Sequence, residues 1–248
     1  MVTGRIRVGI GGWRYEPWRG SFYPAGLTQA RELAYAAGQL TAIEVNGTFY
    51  GTLSPKTFAS WRDETPEEFV FALKAPRYAT NRRMLAEVEP SIARFAASGI
   101  SELGAKLGPI NWQFAATKRF DPEDFSAFLA LLPAEADGVP LRHAVEVRHE
   151  SFDCPEFHAL AAAHGVAVVL AGDSDHPRID CPAPGFAYVR IMGTSEDEPL
   201  GYGEAALDRW AGEARALAEG GRDVFLFVIS GHKVSNPAAA KALISRLG

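Results

Sequence analysis

The chain has 248 residues and a net charge of −5, from 25 lysines and arginines against 30 aspartates and glutamates. That balance gives no general electrostatic case for nucleic acid or an anionic membrane, although a local basic patch stays open. With 47% hydrophobic and 22% charged residues the composition is that of an ordinary globular protein, and the length suits one α/β barrel.

Short β-rich runs alternate with helical stretches along the whole chain, the pattern of parallel β/α units. The first strand is expected near Ile6 to Ile10, and its Gly9-Ile-Gly-Gly-Trp13 lacks the third glycine of a dinucleotide fingerprint. An aromatic loop leads from it to a helix over Thr28 to Ala37, with Thr28 as its cap and Gly38 as its stop. The second strand, Ala42 to Val45, is followed by Ser54-Pro55, an N-cap and first-turn proline that open a helix reaching Trp61. The third, Val70 to Lys74, precedes helical spacing over Leu85 to Ala97, interrupted near Pro90. The fourth, Leu107 to Gln113, precedes a helix over Pro122 to Leu132 capped by Asp121. The fifth strand, Ala144 to Val147, leads to a helix over Pro155 to Ala163, and the sixth is Ala167 to Leu170. Gly172 to Gly185 holds three prolines, two glycines and three aspartates, which predicts an irregular connection in place of a crossover helix. The seventh strand, Phe186 to Ile191, a helix over Ala205 to Ala218, the eighth strand, Val224 to Val228, and a helix over Pro237 to Leu247 complete the chain. Eight such units predict an α/β fold, a closed TIM-type (β/α)8 barrel forming one domain over residues 1–248, with the helix after strand six missing or irregular.

The longest apolar run, Val166 to Ala171, is too short to cross a bilayer, and Met1-Val-Thr-Gly-Arg-Ile6 holds no apolar signal segment. Cys154 and Cys181 have neither metal-ligand spacing nor the density of a disulfide scaffold. A cytoplasmic protein with free thiols is expected.

Residues two apart on a strand share a face. Glu44 with Asn46, Asn111 with Gln113, Glu146 with Arg148, and Tyr188 with Arg190 therefore pair off at the carboxyl ends of four strands; Lys74 ends the third strand, and Asp173 and Ser230 to His232 follow the sixth and eighth. Polar side chains on barrel strands are expected only where inward residues reach the top rim, so the set converges on one mouth. Glu44 and Glu146 are candidate acid/base groups that could flank a ligand as glycoside hydrolysis requires, or could each be neutralised by Arg148, Arg190 or Lys74 in a buried ion network. Lys74 could hold an anion or, if desolvated, react as an amine.

Arg148 and Arg190 suit bidentate recognition of a carboxylate or phosphate, and Asn46 and Gln113 suit orienting a substrate. Trp13 and Tyr50 belong to an aromatic set with Tyr15, Trp18, Phe22, Tyr23 and Phe49 that could stack on a sugar or base, or cover the barrel end as a mini-core. Ser230 to Pro237, with His232 and Lys233, has the chemistry of an anion cradle, or of Asn236 capping a helix ahead of Pro237. A metal could draw on Glu44, Glu146, Asp173 and His232, but no ligand spacing supports one; metal ligands are therefore not assigned and a cofactor stays unknown.

Taken in order, Gly9-Ile-Gly-Gly-Trp-Arg-Tyr-Glu-Pro-Trp18, Phe22-Tyr-Pro24, Glu44-Val-Asn-Gly-Thr-Phe-Tyr50, Phe71-Ala-Leu-Lys-Ala-Pro76, Leu107-Gly-Pro109 and Glu146-Val-Arg-His-Glu-Ser151 resemble the YecE-like family, a domain of unknown function. The resemblance covers nearly the whole chain. It implies a TIM-type barrel, an open biochemical role, and Glu44, Asn46, Tyr50, Lys74, Gln113, Glu146 and Arg148 as the family's recurrent polar residues. Three positions depart from the family pattern: Asn81 where a histidine is common, Phe152 where a tryptophan is usual, and Val228-Ile-Ser-Gly-His232 where an asparagine pair is common. The expected function is an enzyme that works by acid/base chemistry on a small polar molecule, sugar-like or phosphorylated, at the carboxyl-end mouth. The rivals are a binding or sensor protein for such a ligand and, more weakly, a single-stranded nucleic-acid binder; the oligomeric state is left open.

Overall fold

The computed structural model describes residues 3–181 and 185–248. Its centre is a nine-stranded parallel sheet, made of β1 (Ile6–Gly11), β2 (Ala42–Val45), β3 (Val70–Lys74), β4 (Leu107–Gln113), β5 (His143–Glu146), β6 (Ala167–Val168), β7 (Leu170–Gly172), β8 (Phe186–Ile191) and β9 (Asp223–Val228). β1 pairs with both β2 and β9, and β8 lies between β9 and β7. β6 pairs with β5, so the two ends of the sheet, β6 and β7, are separated only by Val169, whose amide donates to the Val145 carbonyl at 2.9 Å. The wall therefore closes through the chain itself, and the single sixth strand expected over Ala167 to Leu170 is two short pieces around one kinked residue. The α/β barrel expected from the alternating pattern is the observed fold.

Helices α1 (Glu32–Ala37), α2 (Gly47–Tyr50), α3 (Pro55–Asp63), α4 (Arg77–Thr80), α5 (Glu89–Ala96), α6 (Pro122–Ala130), α7 (Pro155–Ala163), α8 (Glu204–Ala218) and α9 (Asn236–Leu247) occupy the connections. Ser54 caps α3 by accepting from the Thr57 amide, and Asp121 caps α6 by accepting from the Glu123 and Asp124 amides. Thr28 makes no side-chain cap; a 3-10 turn over Gln29–Arg31 takes up the start of the expected helix. Asn236 is likewise not a cap but the first residue of α9, and its Oδ1 accepts from the Thr194 hydroxyl at 2.8 Å. Between β7 and β8 no helix forms over residues 173–181 or 185, as the prolines there dictate; residues 182–184 of that connection, like residues 1–2, lie outside the described residues. One antiparallel ladder, Glu135–Ala136 with Val139–Pro140, had no counterpart in the strand pattern, although its turn is Asp137-Gly138 with φ of 48° and 77°, a residue pair suited to a tight hairpin. No helix among the described residues is long and apolar enough to cross a membrane.

Two cores follow from strand alternation. Val8, Ile10, Ile43, Val45, Phe71, Leu73, Val145, Val189 and Ile191 face outward and are buried under the helices. Ala42, Val70, Ala72, Ala144, Phe186, Tyr188, Phe225 and Phe227 face inward and fill the barrel. One step of two residues above this inner layer come Glu44, Lys74, Glu146 and Arg190, so the period that packs the barrel with hydrocarbon also delivers the charges to its carboxyl-end mouth.

Gly9 lies where β1 passes closest to β2: a Cβ there would sit 2.0 Å from the Ala42 carbonyl oxygen. Gly9→Ala is therefore expected to destabilise by about 1–3 kcal/mol through forced displacement of β1, read as a lower denaturant midpoint at unchanged slope. A midpoint equal to that of the parent protein would mean the two strands are not so close.

Candidate active site

Glu44 and Glu146 are fully buried and face each other across the barrel, joined by Arg190. The Arg190 guanidinium donates to Glu44 through Nη2 at 3.1 Å and to Glu146 through Nη1 at 2.6 Å. The space between the two carboxylates, where a glycosidase would hold its sugar, is thus filled by a guanidinium, which sets aside the flanking-pair geometry entertained for hydrolysis. Each acid has further donors. The Tyr188 hydroxyl donates to Glu44 at 2.6 Å; Arg148 Nε and Asn111 Nδ2 donate to Glu146 at 2.8 and 3.1 Å. The Gln113 carboxamide oxygen accepts from Arg148 at 3.0 Å and from Arg190 at 3.3 Å, which ties the two guanidiniums together.

These contacts decide protonation. Burial alone would push the Glu146 carboxyl up, but Arg190 and then Arg148 outweigh it and, with the Asn111 bond, hold it at about 2. Burial drives the Tyr188 phenol well above its ordinary value, as does the neighbouring Glu44 carboxylate, so Tyr188 stays a donor. Arg190 is held above its ordinary value because the attraction of Glu146 and Glu44 exceeds the cost of its burial. Glu146 is consequently a permanent anion near neutrality and no proton donor.

A depressed carboxyl contributes stability that is complete above its unfolded value of 4.5 and disappears as the pH falls toward the folded value of about 2. The protein is therefore expected to lose roughly 3 kcal/mol from this group between those limits. Urea unfolding at successive pH values checks it, and Glu146→Gln should remove that part of the slope. A slope identical in the variant would contradict the assignment.

Lys74 differs from the other charges. It is only 8% exposed, yet among the described residues its ammonium has no ion-pair or hydrogen-bond partner; it lies 4.2 Å from the centre of the Phe49 ring. Burial lowers its pKa below the ordinary 10.5; Glu44 pulls the other way and Arg190 adds to the lowering. Its backbone is held in place by the buried Thr48 hydroxyl, which donates to the Lys74 carbonyl at 2.7 Å, and by register with Asn111 on β4. The network expected to neutralise the acids thus uses Arg148 and Arg190 and leaves Lys74 out.

The remaining candidates scatter. Asn46 stands half-buried beside Gly11, before α2. Tyr50 is 64% exposed, with Arg77 stacked 5.9 Å from its ring centre. Trp13 packs edge-on against Trp61, 5.0 Å between centres, and its carbonyl accepts from Tyr23; it lines a cleft of about 380 Å3 with Asn46 and Lys233, whose lining does not include Glu44 or Glu146. Trp18, Tyr23, Phe22 and Tyr15 form the mini-core over the barrel end.

His232 bonds Ser235 through Nδ1 at 2.9 Å, and the Thr194 hydroxyl ties down its loop through Asn236, so the proposed anion cradle is largely occupied by its own contacts. Asp173, once a metal candidate, accepts from the Met192 amide and the Tyr202 hydroxyl, each at 2.6 Å. Among the described residues, no three of His, Cys, Asp and Glu are grouped to hold a metal ion. Sequence reasoning placed Tyr188 and Asn111 on the converging rim but missed their role, the donation of a hydrogen bond to Glu44 and to Glu146. His176 was missed too: it sits close enough to the network for Arg148 and Glu146 to shift its ring, whose pKa burial lowers first.

Comparison with known proteins places this arrangement in context. The model of a family described as "Protein of unknown function DUF72" matches residues 7–248. The chain belongs to that family. It is 28% identical over 150 residues to the UPF0759 protein YecE of Escherichia coli strain K12, a match that spans 59% of this chain and 50% of that one, so the chain spans about half the length of the curated relatives it matches. The crystal structure of a DUF72 family protein from Thermotoga maritima superposes with a TM-score of 0.77 at 23% identity, covering 98% of this chain and 99% of that one. A D-psicose 3-epimerase crystallised in the presence of D-fructose superposes with a TM-score of 0.56 at 14% identity, covering 97% and 96%, and shares the barrel fold. As a DUF72 barrel, the protein keeps its uncommon charges on the strand ends that its family resemblance singled out.

Proposed function

We propose that the protein is an enzyme that moves a proton on a small polar substrate, sugar-like or phosphorylated, with Lys74 as the acid/base group. The observation that carries this reading is the Lys74 side chain, buried at the mouth with no ion pair among the described residues, its pKa lowered below the ordinary 10.5 by that burial. A general base works best when its pKa lies near the working pH, and a desolvated lysine is one route to that. Glu44, Arg190, Glu146 and Arg148 act as a rigid electrostatic platform rather than as proton carriers. Arg148, with 20% of its side chain exposed, offers the outward guanidinium for an anionic group. Asn111 Oδ1 and Arg190 Nε, both buried without a partner among the described residues, add an acceptor and a donor for substrate hydroxyls.

The test is incubation with a panel of sugars and sugar phosphates in deuterated water, following exchange of substrate C–H protons by NMR. Wild type should introduce deuterium, and Lys74→Met should not, while still being stabilised by the same ligand. Exchange at the parent rate in that variant would remove Lys74 from the mechanism. The saturated carboxylate network favours one rival, a sensor that recognises such a ligand without turning it over; its mark is ligand-induced stabilisation by wild type with no exchange at all.

A further inference from the structure

A second feature lies outside the barrel axis. The loops after β3 and β4 enclose a cleft of about 990 Å3, lined among others by Thr80, Arg82, Arg83, Met84, Lys118 and Arg119. Arg82, Arg83 and Arg119 are exposed, and among the described residues none of them has a carboxylate within 4.0 Å. The acids of the cleft are mostly committed elsewhere. Asp124 pairs with Lys118 at 2.7 Å and accepts from the Leu85 amide, and Asp121 accepts from two amides at the start of α6, which leaves Glu123 as the uncommitted carboxylate. Thr80 is 2% exposed and its hydroxyl has no partner, an unusual state for a buried group. Tyr50, Tyr78 and Met84, 64%, 52% and 54% exposed, are the large apolar side chains left in solvent among the described residues. Met84 lines the cleft, and Arg77 joins the other two, 5.9 and 5.7 Å from their ring centres.

We propose that this cleft is a binding surface for single-stranded nucleic acid, with the arginines on phosphates and with the exposed Tyr50 and Tyr78, which flank Arg77 on the helix leading to Thr80 and lie outside the cleft lining, stacked on bases. Spaced cations without partners suit a run of phosphates rather than one, and exposed rings can stack only on bases that are not already paired. The buried Thr80 hydroxyl supplies a directional donor to a phosphate oxygen. The protein's net charge of −5 gives no general attraction for nucleic acid, so the electrostatic case rests on this patch. The inference does not depend on the role of Lys74.

Fluorescence anisotropy of the full chain with a labelled oligothymidylate of about 16 nucleotides tests it, with salt varied between about 50 and 200 mM. Affinity should fall steeply with salt, and the combined Arg82→Gln, Arg83→Gln and Arg119→Gln variant should bind more weakly, with a log–log slope shallower by about 0.7 per arginine. Tyr78→Ala should weaken binding about tenfold with the slope kept, and Thr80→Val should weaken it with no loss of thermal stability. Absent binding, an unchanged slope in the arginine variant, or equal affinity for the matching duplex or for a phosphorylated peptide would each overturn the proposal.

Discussion

Arg190→Met is expected to lower the unfolding free energy by about 3–5 kcal/mol, the usual cost of stranding a buried charge by deleting its partner. Here two carboxylates lose the same cation, since Arg190 reaches both Glu44 and Glu146. For a chain of this size the melting temperature should fall by roughly 10 °C or more. The deficit has a characteristic pH dependence. Without Arg190, only Arg148 and the Asn111 bond oppose burial at Glu146, so its folded pKa rises from about 2 and the variant regains stability relative to wild type as the pH is lowered. Adding Glu44→Gln should recover part of the loss at neutral pH, since Glu44 loses its cation while Glu146 keeps Arg148. A loss below about 1 kcal/mol would mean the guanidinium is solvated and the platform is not rigid.

Lys74→Met is expected to act in the other direction. It removes a buried cation that has no ion pair and keeps a similar volume, so the fold should be unchanged or slightly more stable. Turnover of a substrate found by the exchange panel should nonetheless fall about a hundred- to ten-thousand-fold. Lys74→Arg should not restore it, because a guanidinium keeps its proton across the working range. In wild type, activity should rise with pH to a plateau as the lowered Lys74 ammonium loses its proton. If Lys74 only held an anion, binding would weaken over the same range, and Arg would serve in its place. Turnover retained in the methionine variant would contradict the mechanism.

The barrel was legible because alternation and turn residues are local: Ala42, Ala72 and Ala144 facing inward, each two residues before Glu44, Lys74 and Glu146, can be read directly from the strand period. The same arithmetic places polar groups at one mouth. It does not say which of them meet. Arg190 reaches across to Glu44 from 146 positions away, and Lys74 stays unpaired among the described residues although Glu44 is on the next strand. Pairing depends on side-chain length and direction within a closed barrel, which periodicity does not encode. Asn236 misled for a related reason: Asn-Pro at a helix start reads as a cap, but the carboxamide had a better partner in Thr194, reached from another loop. The split at Val169 was hidden because Ala167 to Gly172 is uniformly apolar and gives no mark of a kink.

The most direct measurement is the Lys74 titration itself, by heteronuclear NMR of labelled lysine side chains with Lys74→Met to assign the signal. The account predicts a lysine signal titrating below the ordinary 10.5, beside those of Lys106 and Lys233, which burial also lowers, and it should be the one that disappears in that variant. A Lys74 signal titrating at or above 10.5 would show an ammonium that is solvated or paired, and would contradict its role as the proton-transfer group.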